Sequence, residues 1–261
     1  MKKDDEKNTV IKILQGFGFN AFEIPEEPQK GRRADIRAIK DAQSFLIEVK
    51  TKDDHPNFKA ALKEAEDLEI VEYEKPLRRS NTFGKIIREG AKQLEETPDD
   101  AQSFKCIWFR AIEALFTDEL KFMKSTLYGI EHLIVIDQLR CLSAAECFFF
   151  NHSEFFNNPS LDGVVLDNGS VLELCVNSFS KRYDTFRNSV LYNIFESSRA
   201  LTDPLMLEGQ REILVANTDV QRKDKDAVIK FIQDKYGVYV NLIEMKSIGA
   251  AVLYTLDDPH D

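Results

Sequence analysis

The chain has 261 residues, of which 43% are hydrophobic and 31% charged, and its formal net charge is −10. This length suits one large domain or two small ones. The acidic balance argues against a protein that coats nucleic acid non-specifically, because neutralising phosphates needs Lys and Arg. It is compatible with a nuclease, since a local basic patch can steer DNA on an acidic protein.

Signals for export or membrane insertion are missing from the pattern. The opening MKKDDEK is not followed by an apolar stretch of signal-peptide length, and no run approaches the roughly 18 apolar residues of a membrane span. The four cysteines show no CxxC spacing, so we expect free thiols and a cytoplasmic protein with no membrane partner.

The first predicted elements are a helix over residues 3–16 and a strand over 19–24. Glu6 lies four residues before Val10 and seven before Ile13, so it shares their apolar face. A carboxylate on a buried face is costly unless it has a partner. The alternative is a first-turn acid that the helix dipole favours.

A β-hairpin is predicted next, from the apolar runs 36–39 and 45–49 and the polar turn between them. Asp35 lies at the entry of the first run, and Glu48 and Lys50 lie at the exit of the second. In an antiparallel pair the start of one strand lies beside the end of the other. Glu48 and Lys50 are two residues apart and therefore share a face.

Asp35 with Glu48-Val49-Lys50 resembles the catalytic signature of the PD-(D/E)xK nuclease superfamily, also called restriction-endonuclease-like. Ala34 stands where the family pattern has proline. The resemblance implies an α/β fold with a mixed central β-sheet flanked by helices and a site at one end. It covers residues 1–140; residues 141–261 are then an α/β extension of the sheet or a second lobe.

The same three-residue pattern, an acidic residue followed by any residue and then lysine, also occurs at 5–7, 119–121 and 244–246. The first two triplets lie in helical patterns, and the third follows an apolar run without an upstream acid on a partner strand. Only Glu48-Val49-Lys50 combines a hairpin with a partner Asp.

The resemblance also implies roles for the site residues. Asp35, Glu48 and the Val49 backbone carbonyl would bind Mg²⁺ or Mn²⁺, a hard ion that prefers oxygen ligands and keeps several waters. Lys50 would orient or deprotonate the attacking water. Glu6 matches the first-helix acid that often reaches the metal site in this family, as a further ligand or through water.

Two segments follow the hairpin. Residues 52–80 are strongly charged and include an acidic helical stretch, 58–74. Residues 81–96 form the clearest helix, and Gly90-Ala91 allow it to approach a sheet closely. Gln93 matches a family glutamine that packs behind the catalytic lysine; the alternative is a solvated side chain at the helix edge.

Basic residues near the hairpin are candidates for nucleic-acid binding: Arg32, Arg33 and Arg37 around its entry, and Arg79 and Lys85 around the start of the 81–96 helix. They would form a rim that steers phosphates. The alternative for the loop that precedes Asp35 is a solvated loop.

The remaining pattern alternates strands and helices. Strand 104–111, helix 117–128 and strand 132–136 predict a crossover, so that part of the sheet is parallel. Asp167-Asn168-Gly169 between apolar runs predicts a second hairpin. Further elements are a strand at 146–151, a helix or strand at 187–199, a strand at 211–216, a helix at 223–236, and strands at 238–244 and 249–256.

The sequence therefore predicts a metal-dependent nuclease that hydrolyses phosphodiester bonds, of DNA, in restriction, repair or defence. The alternative is a catalytically inactive protein of the same fold that acts as a binding or protein-interaction module. A homodimer or a protein partner is compatible with both.

Overall fold

The structure is a computed structural model that describes residues 3–25, 33–52, 70–99, 102–111, 116–137, 139, 141–244 and 246–252. Its helices are α1 Lys3–Gly16, α2 Asn81–Glu96, α3 Phe116–Tyr128, α4 Glu154–Asn157, α5 Tyr183–Phe186, α6 Val190–Ser197, α7 Pro204–Gly209 and α8 Lys225–Tyr236. Its strands are β1 Asn20–Glu23, β2 Ile36–Lys40, β3 Gln43–Thr51, β4 Ile70–Pro76, β5 Phe104–Arg110, β6 Glu131–Ile136, β7 Leu142–Phe148, β8 Gly163–Asp167, β9 Leu172–Val176, β10 Leu201–Thr202, β11 Leu214–Val215, β12 Tyr239–Leu242 and β13 Lys246–Val252.

The central sheet has the strand order β1-β2-β3-β5-β8-β9-β10 within the described residues. β1, β2 and β3 are successively antiparallel, whereas β3, β5 and β8 are parallel to one another. β8 and β9 form the predicted second hairpin. The sheet is mixed and helices lie on both of its faces, which confirms the expected α/β class.

Apolar side chains cover both faces of this sheet. On one face Val10 and Leu14 of α1 belong to the same buried cluster as Val49. On the other face Phe83 of α2 belongs to the same buried cluster as Leu46. Because successive strand residues point to opposite faces, Glu48 and Lys50 share the α2 face with Leu46.

A second sheet, in the order β11-β7-β6-β12, packs on α8 in the described part of the chain. This arrangement corrects the predicted crossover. The predicted strands and helix form as β5, α3 and β6, but β6 pairs with β7 and β12 instead of joining β5. Instead, β5 pairs in parallel with β8. In the sequence, β8 follows β6 and β7 of the second sheet.

The predicted acidic helix 58–74 is wrong in its last part. Residues 53–69 lie outside the described residues, and residues 70–74 belong to β4, which pairs antiparallel with β13. The sequence Ile-Val-Glu-Tyr-Glu has no strong helical periodicity, and a strand partner from the far end of the chain decides its conformation.

The predicted helix over 81–96 is confirmed as α2, and the predicted helix over 223–236 is confirmed as α8, which ends at Gly237 in the left-handed conformation. Residues 187–199 contain a helix, α6. The segment after residue 140 contributes strands to both of the larger sheets. No helix of the described residues is long and apolar enough to cross a bilayer.

Candidate active site

The hairpin of β2 and β3 places Asp35 beside Glu48. Ile36 lies opposite Ile47 in the antiparallel register, so Asp35 and Glu48 are the next residues along the two segments. Asp41 and Ala42 connect the strands with φ of 50° and 62°, the positive values that a two-residue hairpin turn requires. This tight turn fixes the register and with it the position of the acids.

The Asp35 carboxylate also binds the backbone of β3 near the end of the hairpin. Its Oδ2 accepts a hydrogen bond from the backbone N–H of Val49 at 2.9 Å. The side chain is buried, as is that of Glu48. Asp35 is therefore held against the strand segment that carries Glu48 and Lys50.

Lys50 joins Glu48 to α2. Its Nζ donates to Glu48 Oε1 at 2.7 Å and to Gln93 Oε1 at 2.6 Å. The Lys50 side chain is 17% exposed, whereas Glu48 is fully buried. We call Asp35, Glu48, Lys50 and Gln93 the hairpin site; it combines two buried carboxylates with a partly exposed lysine side chain.

The helix α2 approaches the hairpin closely because Gly90 has no side chain. A Cβ on Gly90 would lie 2.8 Å from Ile107 Cδ1 and 3.4 Å from Lys50 Cε. Gln93, on the following turn, is buried and faces the sheet. The geometry expected of Gln93 is present, and its role in catalysis stays a prediction.

A second lysine, Lys7 of α1, contacts the other side of Asp35 and has no role in the predicted site. Its Nζ lies 3.0 Å from Asp35 Oδ1 and 3.0 Å from Glu23 Oε1, and its side chain is 4% exposed. Burial alone would lower the pKa of Lys7, but the hydrogen bonds and charges of Glu23 and Asp35 outweigh it and raise that pKa. The sequence does indicate that Lys7 is buried, since it lies three residues before Val10 and seven before Leu14, on the apolar face of the helix.

Glu6 points to a different partner. Its Oε2 lies 2.6 Å from Arg110 Nε, and Arg110 Nη1 lies 2.8 Å from Asp167 Oδ2. Trp108 Nε1 also donates to Asp167 Oδ2, at 3.0 Å. The buried Glu6 carboxylate is paired, as expected for a buried charge. Its partner is Arg110, at the end of β5.

The basic residues predicted at the hairpin entry differ in what they contact. Arg32 lies outside the described residues, and Arg33 is half-buried. Arg37 Nη1 lies 3.3 Å from Asp99 Oδ1 and 3.5 Å from Ser103 Oγ. Arg37 is therefore tied to the loop before β5.

Near the start of α2, Arg79 and Arg88 share one buried carboxylate. Arg79 Nη2 and Arg88 Nη1 lie 2.6 and 2.5 Å from Glu154 Oε1. Arg88 stays half exposed, so two guanidinium groups share one buried carboxylate here. Lys85 is 74% exposed, and its ion pair with Glu89 is long, at 3.8 Å.

A divalent ion at the hairpin site would have two carboxylate ligands. Among the described residues, no group of three or more His, Cys, Asp or Glu side chains is placed to hold a metal ion. Asp35, Glu48 and the Val49 carbonyl would be its oxygen ligands, and Mg²⁺ commonly completes its shell with water. Glu6, engaged with Arg110, is not a third carboxylate in this arrangement.

Comparison of the chain with protein families, with curated proteins and with solved structures finds no match.

Proposed function

We propose that this chain is a divalent-metal-dependent nuclease of restriction-endonuclease-like fold that hydrolyses phosphodiester bonds, of DNA. The observation that carries the proposal is the hairpin site itself. Asp35, directly before β2, accepts a hydrogen bond from the Val49 N–H of β3, and the Lys50 ammonium group contacts both Glu48 and Gln93. The mixed sheet flanked by helices, with the site at one end, agrees with the fold that the resemblance implies.

Each residue of the hairpin site has a defined task in this proposal. Asp35, Glu48 and the Val49 carbonyl would hold Mg²⁺ or Mn²⁺, which supplies a bound water of lowered pKa and neutralises charge on the phosphate. The Lys50 side chain would orient that water, and as a neutral amine it would accept the water's proton. Gln93 positions Lys50 by accepting one of its hydrogen bonds.

The substrate side of the proposal rests on the basic side chains of α2 and of the segment that precedes it. Arg79 and Arg88 are oriented by the buried Glu154 carboxylate, and Arg88 and Lys85 are exposed on α2, the helix that carries Gln93. Guanidinium and ammonium groups are the natural partners of phosphate oxygens. We propose that this surface of α2 receives the backbone of the nucleic acid.

A digestion assay tests the proposal. Single-stranded, duplex and branched DNA and RNA are incubated with the wild type in Mg²⁺, in Mn²⁺ and in EDTA. Asp35→Asn and Lys50→Ala should abolish metal-dependent cleavage, while Lys230→Ala, an exposed lysine of α8, should cleave like the wild type. Cleavage that survives both changes at the hairpin site overturns the assignment, and cleavage confined to RNA overturns the choice of DNA.

A second candidate is a nuclease-fold binding module without catalysis. One contact favours it: the Lys7 ammonium group already neutralises the Asp35 carboxylate. Calorimetric titration with Mn²⁺ separates the two candidates. Binding that is lost in Asp35→Asn supports the nuclease, whereas the absence of binding to the wild type supports the binding module.

A further inference from the structure

The contact between Lys7 and Asp35 has a consequence for metal binding. A divalent ion bound to Asp35 would lie within a few ångströms of the Lys7 ammonium group, in a poorly solvated position where like charges repel strongly. Asp35 Oδ1 is the atom that Lys7 contacts, at 3.0 Å, while Oδ2 accepts the Val49 N–H. Metal and ammonium therefore compete for the same carboxylate oxygen.

The structure also provides an alternative partner for the displaced ammonium group. Glu23 Oε1 lies 3.0 Å from Lys7 Nζ, and the Glu23 side chain is 49% exposed. A lysine has a flexible four-carbon stem. Lys7 can therefore turn toward Glu23 and solvent without leaving its charge unpaired.

We propose that Lys7 is a tethered cation that neutralises Asp35 in the metal-free protein and keeps only Glu23 as its partner when a divalent ion displaces it from Asp35. The proposal rests on the function proposed above and names a regulator of that site. Lys7 is a positioning residue, which acts on the metal through Asp35. It sets the metal concentration at which the site fills.

The positive charge of Lys7 predicts how the affinity for Mn²⁺ changes in each variant. Lys7→Gln keeps a hydrogen-bond donor but removes the competing charge, so Mn²⁺ should bind at least tenfold more tightly than to the wild type. Glu23→Gln removes the alternative partner and should weaken Mn²⁺ binding. Lys12→Gln, an exposed lysine of the same helix, should leave the affinity unchanged.

Glu23 also attracts a cation directly, and a double-mutant cycle isolates its action through Lys7. If Glu23 acts by receiving Lys7, Glu23→Gln weakens Mn²⁺ binding less when Lys7→Gln is already present. Isothermal titration of the full chain with Mn²⁺, at one pH and ionic strength, measures all four proteins. Circular dichroism checks that each is folded, and Lys7→Met takes the place of Lys7→Gln in the cycle if Lys7→Gln does not fold.

The outcomes separate this proposal from the proposed function. Equal affinity in the wild type and Lys7→Gln, with binding lost in Asp35→Asn, overturns the role of Lys7 and leaves the nuclease in place. Binding to Lys7→Gln but not to the wild type supports the tethered cation and overturns the nuclease. Absence of binding in both proteins overturns both.

Discussion

The two lysines that contact the acids of the hairpin site differ in exposure and in partners. Lys50 is 17% exposed and bridges Glu48 to Gln93, whereas Lys7 is 4% exposed and bridges Asp35 to Glu23. Of these two lysines, Lys50 therefore has the more exposed side chain, which suits the group that is proposed to handle a water molecule.

Gln93→Leu tests how far the position of Lys50 matters. Leu fills a similar volume but cannot accept a hydrogen bond, so the Lys50 ammonium group keeps Glu48 alone. Small misplacements of a catalytic group are expensive, and we expect kcat for nucleic-acid cleavage to fall by about tenfold or more with KM little changed. Steady-state kinetics checks it; an unchanged kcat removes Gln93 from the site.

The contact of Tyr192 with the buried acid Asp203 makes the free energy of unfolding depend on pH in the alkaline range. Tyr192 donates to Asp203 Oδ2 at 3.0 Å. Burial, with the charge of Asp203, raises the pKa of Tyr192 to about 12, although its contact with Arg187 opposes the shift. The unfolded value is about 10. Between these values the folded chain binds more protons, so the free energy of unfolding falls as pH rises from about 10 to about 12.

Urea denaturation at pH 9 and pH 11 measures this effect of Tyr192. We expect the free energy of unfolding of Tyr192→Phe to fall less between the two pH values than that of the wild type. Tyr239→Phe, at an exposed position, is the control and should follow the wild type. An equal fall in Tyr192→Phe would show that Tyr192 does not titrate in this window.

At the scale of elements, the fit of α2 on β3 and β5 decides where Gln93 and Lys50 meet. Phe83 and Ile87 of α2 and Phe109 of β5 are buried in one cluster. Gly90 lies where a side chain would meet Ile107. The helix can therefore approach the sheet closely enough for Gln93 to reach the Lys50 ammonium group.

Gly90→Ala should destabilise the chain by about 1 kcal/mol. Alanine favours the helix by about 1 kcal/mol, but its Cβ would lie 2.8 Å from Ile107 Cδ1, and overpacking costs about 1–3 kcal/mol. Ile107→Val removes that methyl group, so Gly90→Ala should cost less in the Ile107→Val background. Urea denaturation of the four proteins measures the coupling.

Gly16 provides the matched control, because a Cβ added there meets nothing within 4 Å. We expect Gly16→Ala to be neutral or stabilising by up to about 1 kcal/mol. If Gly90→Ala stabilises the chain as well, the close approach of α2 is looser than the structure indicates.

At the scale of the whole molecule, the second half of the chain completes the sheet that carries the hairpin site. β8 lies directly beside β5, and Asp167 at its end binds both Trp108 Nε1 and Arg110 Nη1. Arg110 in turn holds Glu6 of α1. One chain of buried charges thus connects the first helix to a strand that follows residue 140.

A fragment of residues 1–140 should therefore not unfold cooperatively. Without β8, the strand β5 becomes an exposed edge, and Arg110 loses one of its two carboxylates. Urea denaturation followed by circular dichroism compares the fragment with the full chain. A cooperative transition in the fragment would show that these residues form an independent domain.

The elements that the sequence predicts well are those whose signals are local. Helix α2 has a regular apolar face, and the hairpin of β2 and β3 has two apolar runs around a short turn. The predictions that are wrong depend on distant partners: β4 pairs with β13, and β6 joins a sheet that excludes β5. Periodicity shows which face a segment buries, but it does not show which segment covers that face.

The sequence by itself determines that Asp35, Glu48 and Lys50 converge, because a two-residue repeat and a tight turn place them at one end of one hairpin. Only the tertiary structure decides the partners of the adjacent residues Glu6 and Lys7, which contact Arg110 and Asp35 respectively. The physical reason is burial. A charge removed from water must take the opposite charge that the fold brings within reach, and that choice depends on strands far along the chain.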